Sequence, residues 1–264
     1  MTYSILSHRE VVKRFTDYAS EFGLDNPRIS GKLRHSFTVA DNCGIIASRL
    51  GLARDDIELA WLIGLLHDIG RFKQASVANS FKDSLSFSYA EYGCDLLFKD
   101  GFISNFCSLE HWYSFIEKAI RYHSLYEIPD GLTEREKLFC NIVRDADKIS
   151  IFQRAVIADF ELFHECTEQD VQASVISDGV FECLMEKKMI PFMILKSYAD
   201  YYLRMYGFYF GIVYSQSFEL LETQGYFYKL LDFKFVNTHN QERFDLIKQK
   251  ILEHQKFMLS LVGK

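Results

Sequence analysis

The sequence predicts an all-α protein, and three observations carry that prediction. Only three prolines interrupt 264 residues, so long helices meet few breakers. Capping-box patterns head two apolar runs, Ser7 with Glu10 and Thr133 with Glu136. Apolar residues recur at helical spacing, whereas the strict alternation of a half-buried strand is scarce.

The elements follow in chain order. The first helix opens at Ser7 and is predicted to run to about Phe22, and Gly23 to Pro27 is a turn. The second carries Leu33, Phe37, Ala40, Ile45 and Ala47 and ends near Gly51. The third, about Asp55 to Ile69, is the most apolar segment. Ile57, Leu59, Ala60, Trp61, Leu62, Ile63, Leu65 and Leu66 leave it almost no polar face, which puts it in the middle of a bundle. Gly70 reads as its C-terminal glycine. Residues 71–87 are polar with little periodicity and read as a loop. Helices are predicted at Tyr89–Lys99 and His111–Tyr122, with a turn at Pro129-Asp130-Gly131. The Thr133 cap opens a helix through Phe139, Val143, Ile149 and Phe152. Beyond Phe160 the signal weakens. Three to five more helices are expected, among them Lys196–Tyr206 and Gln241–Val262. Tyrosine and phenylalanine are dense between Tyr198 and Phe235. Core or dimer packing is preferred there over a base-stacking surface, because aromatic rings carry large apolar area wherever they occur.

Charge and composition narrow the function. Lys plus Arg number 30 and Asp plus Glu 36, a net charge of −6. Such a chain has no general attraction for polyanions, and it lacks the dense basic stripe that nucleic acid requires. A small phosphorylated substrate stays open, because one arginine and a metal can set the local field. Cys43, Cys94, Cys107, Cys140, Cys166 and Cys183 form no CxxC pair. They read as small buried hydrophobes in a reducing compartment. The first residues lack a secretory apolar run, and Tyr206 to Tyr214 is too short to span a bilayer. The expectation is a cytoplasmic protein with no membrane partner.

The chemistry starts at His67-Asp68, two ionisable residues that end the most apolar helix. Burying them without compensation costs several kcal/mol, so about one strong partner is required. A divalent cation meets that need, since neutral imidazole and carboxylate are its ordinary ligands. The C-terminal end of a helix also favours positive charge. Adjacent helical residues point about 100° apart, so two neighbours grip one ion but cannot complete its shell. His35 lies mid-helix among Leu33, Phe37 and Val39. Alone it reads as a core histidine, and only the set lifts it. Asp145 and Asp147 both lie on the Thr133 helix with apolar neighbours one turn away, and periodicity does not choose between them.

His35, then HDIGR at His67–Arg71, then RDADK at Arg144–Lys148, resembles the H…HD…D signature of the HD-domain metal-dependent phosphohydrolases. The likeness covers roughly residues 30 to 155. It implies an all-helical bundle and four metal ligands, His35, His67, Asp68 and Asp147, with Asp145 beside them as a supporting partner. It implies hydrolysis of phosphate esters or anhydrides of small molecules, nucleotides foremost. Some subfamilies add histidines for a second metal, one in a His-Ala-Glu-x-Gly step and another in an Ile-x-x-His step. This chain has Tyr89 at the first position, in SYAEYG, and keeps His123 at the second, in AIRYH. The resemblance therefore implies one tightly held ion, with His123 facing substrate or a weak second ion. The domain plan that goes with it is an HD-type metal-binding domain over residues 1–160 and a helical extension over 161–264, packed on the same core.

The roles expected on this reading are specific. Asp68 is both ligand and catalytic centre. Arg71 grips phosphate with its planar fork, Lys148 is a weaker substrate contact, and His123 binds substrate and protonates the leaving oxygen. The bland readings are an ion-pair partner for Arg71, core packing for His123 and a solvated helix charge for Lys148. His8, His111, His164, His239 and His254 read as surface or packing residues. The cofactor is a divalent ion, with Mn, Fe, Co, Ni, Zn and Mg all compatible with His and Asp ligands. A homodimer is compatible with the aromatic stretch. Two rival functions are a di-iron oxygenase, against which Tyr89 argues, and a non-catalytic metal-binding regulatory module.

Overall fold

The computed structural model describes residues 7–78 and 88–262, and no strand occurs among them. The chain divides into two units, residues 1–144 and residues 145–264. No helix among the described residues is long and apolar enough to cross a membrane.

The first unit begins with α1, His8–Ser20, whose capping box uses Ser7 and Glu10 as the sequence predicts. Helix α2, Pro27–Arg49, starts at an Asn26 cap with proline in its first turn. Helix α3, Arg54–Leu66, buries Leu59, Ala60 and the whole run from Leu62 to Leu66. It packs along α2 more extensively than any other described pair of helices. The predicted loop at 71–87 is corrected over its first part. Residues 70–78 form α4, Gly70–Ala78, while 79–87 lie outside the described residues. Phe72 and Ala75, three apart and buried, anchor α4 to the core, and two apolar positions are too few to show a period in the sequence. Gly70 therefore opens a helix rather than capping the end of one.

Helix α5, Tyr89–Cys94, continues through a π-helical turn at Asp95–Lys99. A 3₁₀ turn at Glu110–Trp112 leads into α6, Tyr113–Tyr122. Helix α7, Glu134–Ile157, opens at the predicted Thr133–Glu136 box, and the chain passes from the first unit to the second within it.

The second unit holds more helices than the three to five expected, because several are short. They are α8, Phe160–His164; α9, Glu168–Ala173; α10, Asp178–Met185; α11, Tyr198–Phe210; α12, Ser215–Gln224; α13, Tyr226–Leu230; and α14, Thr238–Leu259. Helices of one or two turns carry no readable apolar period. Much of the aromatic stretch is core, although Tyr198 and Tyr201 are exposed. Tyr206, Tyr209, Phe218, Phe227 and Phe244 are fully buried, and Tyr209 stacks on Phe227 with ring centroids 4.7 Å apart. All six cysteines are free, four of them buried.

Candidate metal centre

Five helix ends and faces of the first unit bring the predicted side chains together. His35 comes from the middle of α2. His67 and Asp68 come from the turn that ends α3, and Arg71 from the first turn of α4. Tyr89 opens α5, and His123 follows the last residue of α6. His35, His67, Asp68 and His123 are each at most 5% exposed.

The histidines are oriented by their own helices. His67 Nδ1 lies 2.7 Å from the Gly64 carbonyl, and His123 Nδ1 lies 2.7 Å from the Ile120 carbonyl. A carbonyl only accepts, so Nδ1 carries the proton in each ring and Nε2 presents a lone pair. Both lone pairs face Asp68. His67 Nε2 is 3.1 Å from Asp68 Oδ2 and His123 Nε2 is 3.4 Å from Oδ1. His35 Nε2 adds a third approach, 3.6 Å from Oδ2. Imidazole lone pairs turned towards a carboxylate repel it unless a proton or a cation lies between them.

The 3.1 and 3.4 Å separations suit ligands that share an ion, and the 3.6 Å of His35 is slightly longer. Donors each about 2.1 Å from a metal lie about 3.0 Å apart at a right angle and about 3.4 Å apart at the tetrahedral angle. Ligand atoms of His67, Asp68 and His123 all lie within 4.8 Å of one another. Asp68 Oδ1 is buried with no well-aligned hydrogen bond, a cost that a cation would remove. Nitrogen and carboxylate donors of this kind fit a divalent transition metal or Mg.

Lys32 is the residue that the sequence reading missed. It is 6% exposed, lies one turn before His35 on α2, and its ammonium bonds Asp68 Oδ2. The available signal was its spacing, since residues three apart share a helix face. Burial alone would raise the Asp68 carboxyl, but Lys32 and then His67 outweigh it and hold the group well below the usual carboxylate range.

Arg71 and Tyr89 form the next layer. The Arg71 guanidinium lies over the Tyr89 ring, 3.4 Å from its centroid, and donates to Gln74 Oε1 at 2.6 Å. Its Nε is 3.8 Å from Asp68 Oδ1. The Tyr89 hydroxyl is 3.3 Å from His123 Nε2. The phenol thus reaches the second histidine.

The RDADK segment divides its work. Arg144 binds the main-chain carbonyls of Tyr122, His123, Leu125 and Tyr126, which fixes the chain after α6 and with it His123. Asp145, in the second unit, is fully buried and accepts from the Val213 and Tyr214 amides and the Ser217 hydroxyl. Its carboxylate is spent on the start of α12, not on a metal. Burial outweighs Lys148 and these bonds, and pushes the Asp145 carboxyl up. Lys148 is itself buried, with its charge acting on Asp145. Asp147 is half-buried on α7.

Residues 33–151 match the family model described as HD domain. No curated protein and no solved structure matches the chain.

Proposed function

From the HD domain at residues 33–151, whose superfamily comprises metal-dependent phosphohydrolases, we propose that this chain hydrolyses a phosphate ester or anhydride of a small molecule, with nucleotides as the first class to test. The observation that carries the proposal is the convergence of three imidazole nitrogens on one buried carboxylate at ion-sharing distances.

His35, His67, Asp68 and Asp147 are the proposed ligands. Asp147 is the aspartate of the Ala-Asp-Lys step to which the family resemblance assigns the last ligand. Asp145 is already committed elsewhere. The bound ion supplies Lewis acidity at phosphorus and a nucleophile at neutral pH. Phosphoryl transfer otherwise asks mainly for positioning and neutralisation of charge. Arg71, stiffened by Tyr89 and Gln74, receives phosphate oxygens through its planar fork. In its doubly protonated imidazolium form, with Nδ1–H kept on the Ile120 carbonyl, His123 would pass the Nε2 proton to the leaving oxygen. Lys148, whose charge also acts on Asp145, completes the proposed substrate contacts with Arg71 and His123.

The test is metal analysis followed by a hydrolysis screen over nucleoside mono-, di- and triphosphates, cyclic nucleotides and simple phosphate esters with several divalent ions. Turnover by the wild type that falls by several orders of magnitude in His67→Ala and Asp68→Ala supports the proposal. Equal turnover in wild type and variants refutes it. Bound ion with no turnover across the panel makes the site regulatory instead.

A further inference from the structure

The divalent-ion reading above has a competitor built into the fold. Lys32 and the proposed ion address the same atom, Asp68 Oδ2. The ammonium of Lys32 bonds it, while His67 Nε2 and His35 Nε2 stand 3.1 Å and 3.6 Å from it. An ion about 2.1 Å from all three donors sits within a few ångströms of that ammonium, and the two cations repel in a site with little water to screen them. Lys32 and Asp68 are both nearly fully buried, so neither charge is discarded cheaply. Among the described residues, His35, His67, Arg71 and His123 also approach the Asp68 carboxylate, and Asp147 is the further acid proposed for the same ion.

Resting on the metal-site reading, we propose that Lys32 is an internal counter-ion that competes with the divalent ion for Asp68 Oδ2, and that once displaced it becomes a further cationic contact for the substrate phosphate beside Arg71. A lysine suits the task where an arginine does not. Its ammonium is a compact point charge on a flexible four-carbon stem, so the head moves without moving α2. Without the ion, the pair keeps Asp68 ionised and compensated. With the ion bound, the released ammonium would stay within one stem length of the ligands, where it would meet the negative charge of the substrate phosphate.

A purely structural lysine predicts a different outcome. In that case its removal leaves Asp68 less well held, and ion affinity falls or stays constant. Competition predicts the reverse. Calorimetric titration of chelator-treated protein with Zn²⁺ is expected to show about tenfold or greater gain in affinity for Lys32→Met, the equivalent of one 1.4 kcal/mol step or more. Lys32→Arg, which keeps the charge, stays closer to wild type. Inorganic phosphate binding to the ion-loaded protein is expected to weaken about tenfold in Lys32→Met. Wild type that binds Zn²⁺ while Lys32→Met binds it equally or more weakly overturns the proposal and leaves the metal site standing. Wild type that binds no divalent ion overturns both. If Lys32→Met does not fold, the ¹⁵N-lysine spectrum of the wild type decides. The buried ammonium resonance, assigned through Lys32→Arg, must shift as Zn²⁺ saturates the site. A resonance that stays in place while the ion binds overturns the proposal.

Discussion

Asp145 and Asp147 lie two residues apart on one helix, and their removal should fail in opposite ways. Asp145 accepts from the Val213 amide at 3.0 Å, the Tyr214 amide at 3.0 Å and the Ser217 hydroxyl at 2.7 Å, all in the second unit. Hydrogen bonds to a charged acceptor contribute about 1.5–3 kcal/mol each, so three donors amount to roughly 5–9 kcal/mol gross. Burying the carboxylate takes back several kcal/mol of that. The same penalty appears as the raised Asp145 pKa. The net loss expected for Asp145→Ala is about 3 kcal/mol. In a chain of this size that is a fall in Tm of about 6–12 °C. Ion affinity of the remaining folded protein should stay near wild type. Asp145→Asn keeps an accepting oxygen and sheds the buried charge, so it should cost less than alanine. The sign of its pH dependence follows from the raised pKa. The proton-linked contribution of Asp145 is full below the unfolded carboxyl value and is lost as pH rises through the folded one. Wild type should therefore gain on Asp145→Asn as the solution is acidified. Asp147→Ala should do the converse, losing Zn²⁺ with a stability change of about 1 kcal/mol or less, typical of a residue outside the packed core. Thermal and denaturant unfolding with calorimetric ion titration measure both. An Asp145→Ala protein that keeps its Tm but loses the ion would refute the division of labour drawn here.

Three further outcomes are expected. Tyr89→Phe keeps the ring beneath Arg71 but removes the hydroxyl 3.3 Å from His123 Nε2, so kcat should fall several-fold while KM changes little. Tyr89→Ala removes the ring itself, and loss of a cation–π contact of about 0.5–2 kcal/mol should raise KM by roughly 2- to 30-fold. Gly64→Ala would put a methyl 2.8 Å from Ala40 Cα, forcing α2 and α3 apart. Overpacking of this kind costs about 1–3 kcal/mol, and unfolding curves should show it together with weaker ion binding, because His35 and His67 ride on those two helices. The Glu136 carboxyl is held down to about 2, first by the Lys118 ammonium and then by the Thr133 amide. Its contribution is present above the unfolded value near 4.5 and is lost as pH falls towards 2, so the Tm gap between wild type and Glu136→Gln should close over that interval.

Legibility in the sequence followed the length of the repeat unit that each feature offered. Helices α2, α3 and α7 span several turns, and their stripes, together with the Ser7 and Thr133 boxes, are readable from residue order alone. Helix α4 is not, because Phe72 and Ala75 are its buried apolar anchors among residues such as Arg71, Lys73 and Gln74. Short helices of the second unit, such as α8 and α13, escape for the same reason. In the site, His67-Asp68 is legible from its place on the most apolar helix, His35 only as part of the set and His123 only through the family resemblance, and the fold gathers the three histidines around Asp68. Lys32 offers only its three-residue spacing from His35, a weak signal because a lone lysine on a helix is ordinarily solvent-facing. Only the tertiary fold brings Asp68 to it. Periodicity does not decide between Asp145 and Asp147, since both have apolar neighbours one turn away. The fact that favours the proposed Asp147 is long-range, namely the amides and hydroxyl at 213–217 that occupy Asp145.

Close approach of the helices, more than the ligands themselves, makes the site feasible. Imidazole and carboxylate reach only a few ångströms from the backbone, so donors on separate helices meet only where those helices nearly touch. Two glycine contacts provide that. Gly64 lies against Ala40 Cα, where any side chain would collide, and it stands one turn before His67. Its own carbonyl receives His67 Nδ1, so the residue that permits the approach also aims the ring. Gly70 does the same for the next layer. A methyl there would run into the Tyr89 carbonyl oxygen, and Gly93 stands across from it. The α4–α5 contact this allows sets Tyr89 under Arg71 and within reach of His123. On this argument Gly70→Ala should separate two properties that ligand mutations confound. His35, His67 and Asp68 stay on α2 and the end of α3, so ion binding should persist with modest loss. Tyr89, Arg71 and His123 lose their register, so phosphate affinity and turnover should fall together. Calorimetry with Zn²⁺ and then with inorganic phosphate on the same sample separates the two. Loss of ion binding with phosphate contacts intact would show that the glycines act on the metal ligands and not on the layer above them.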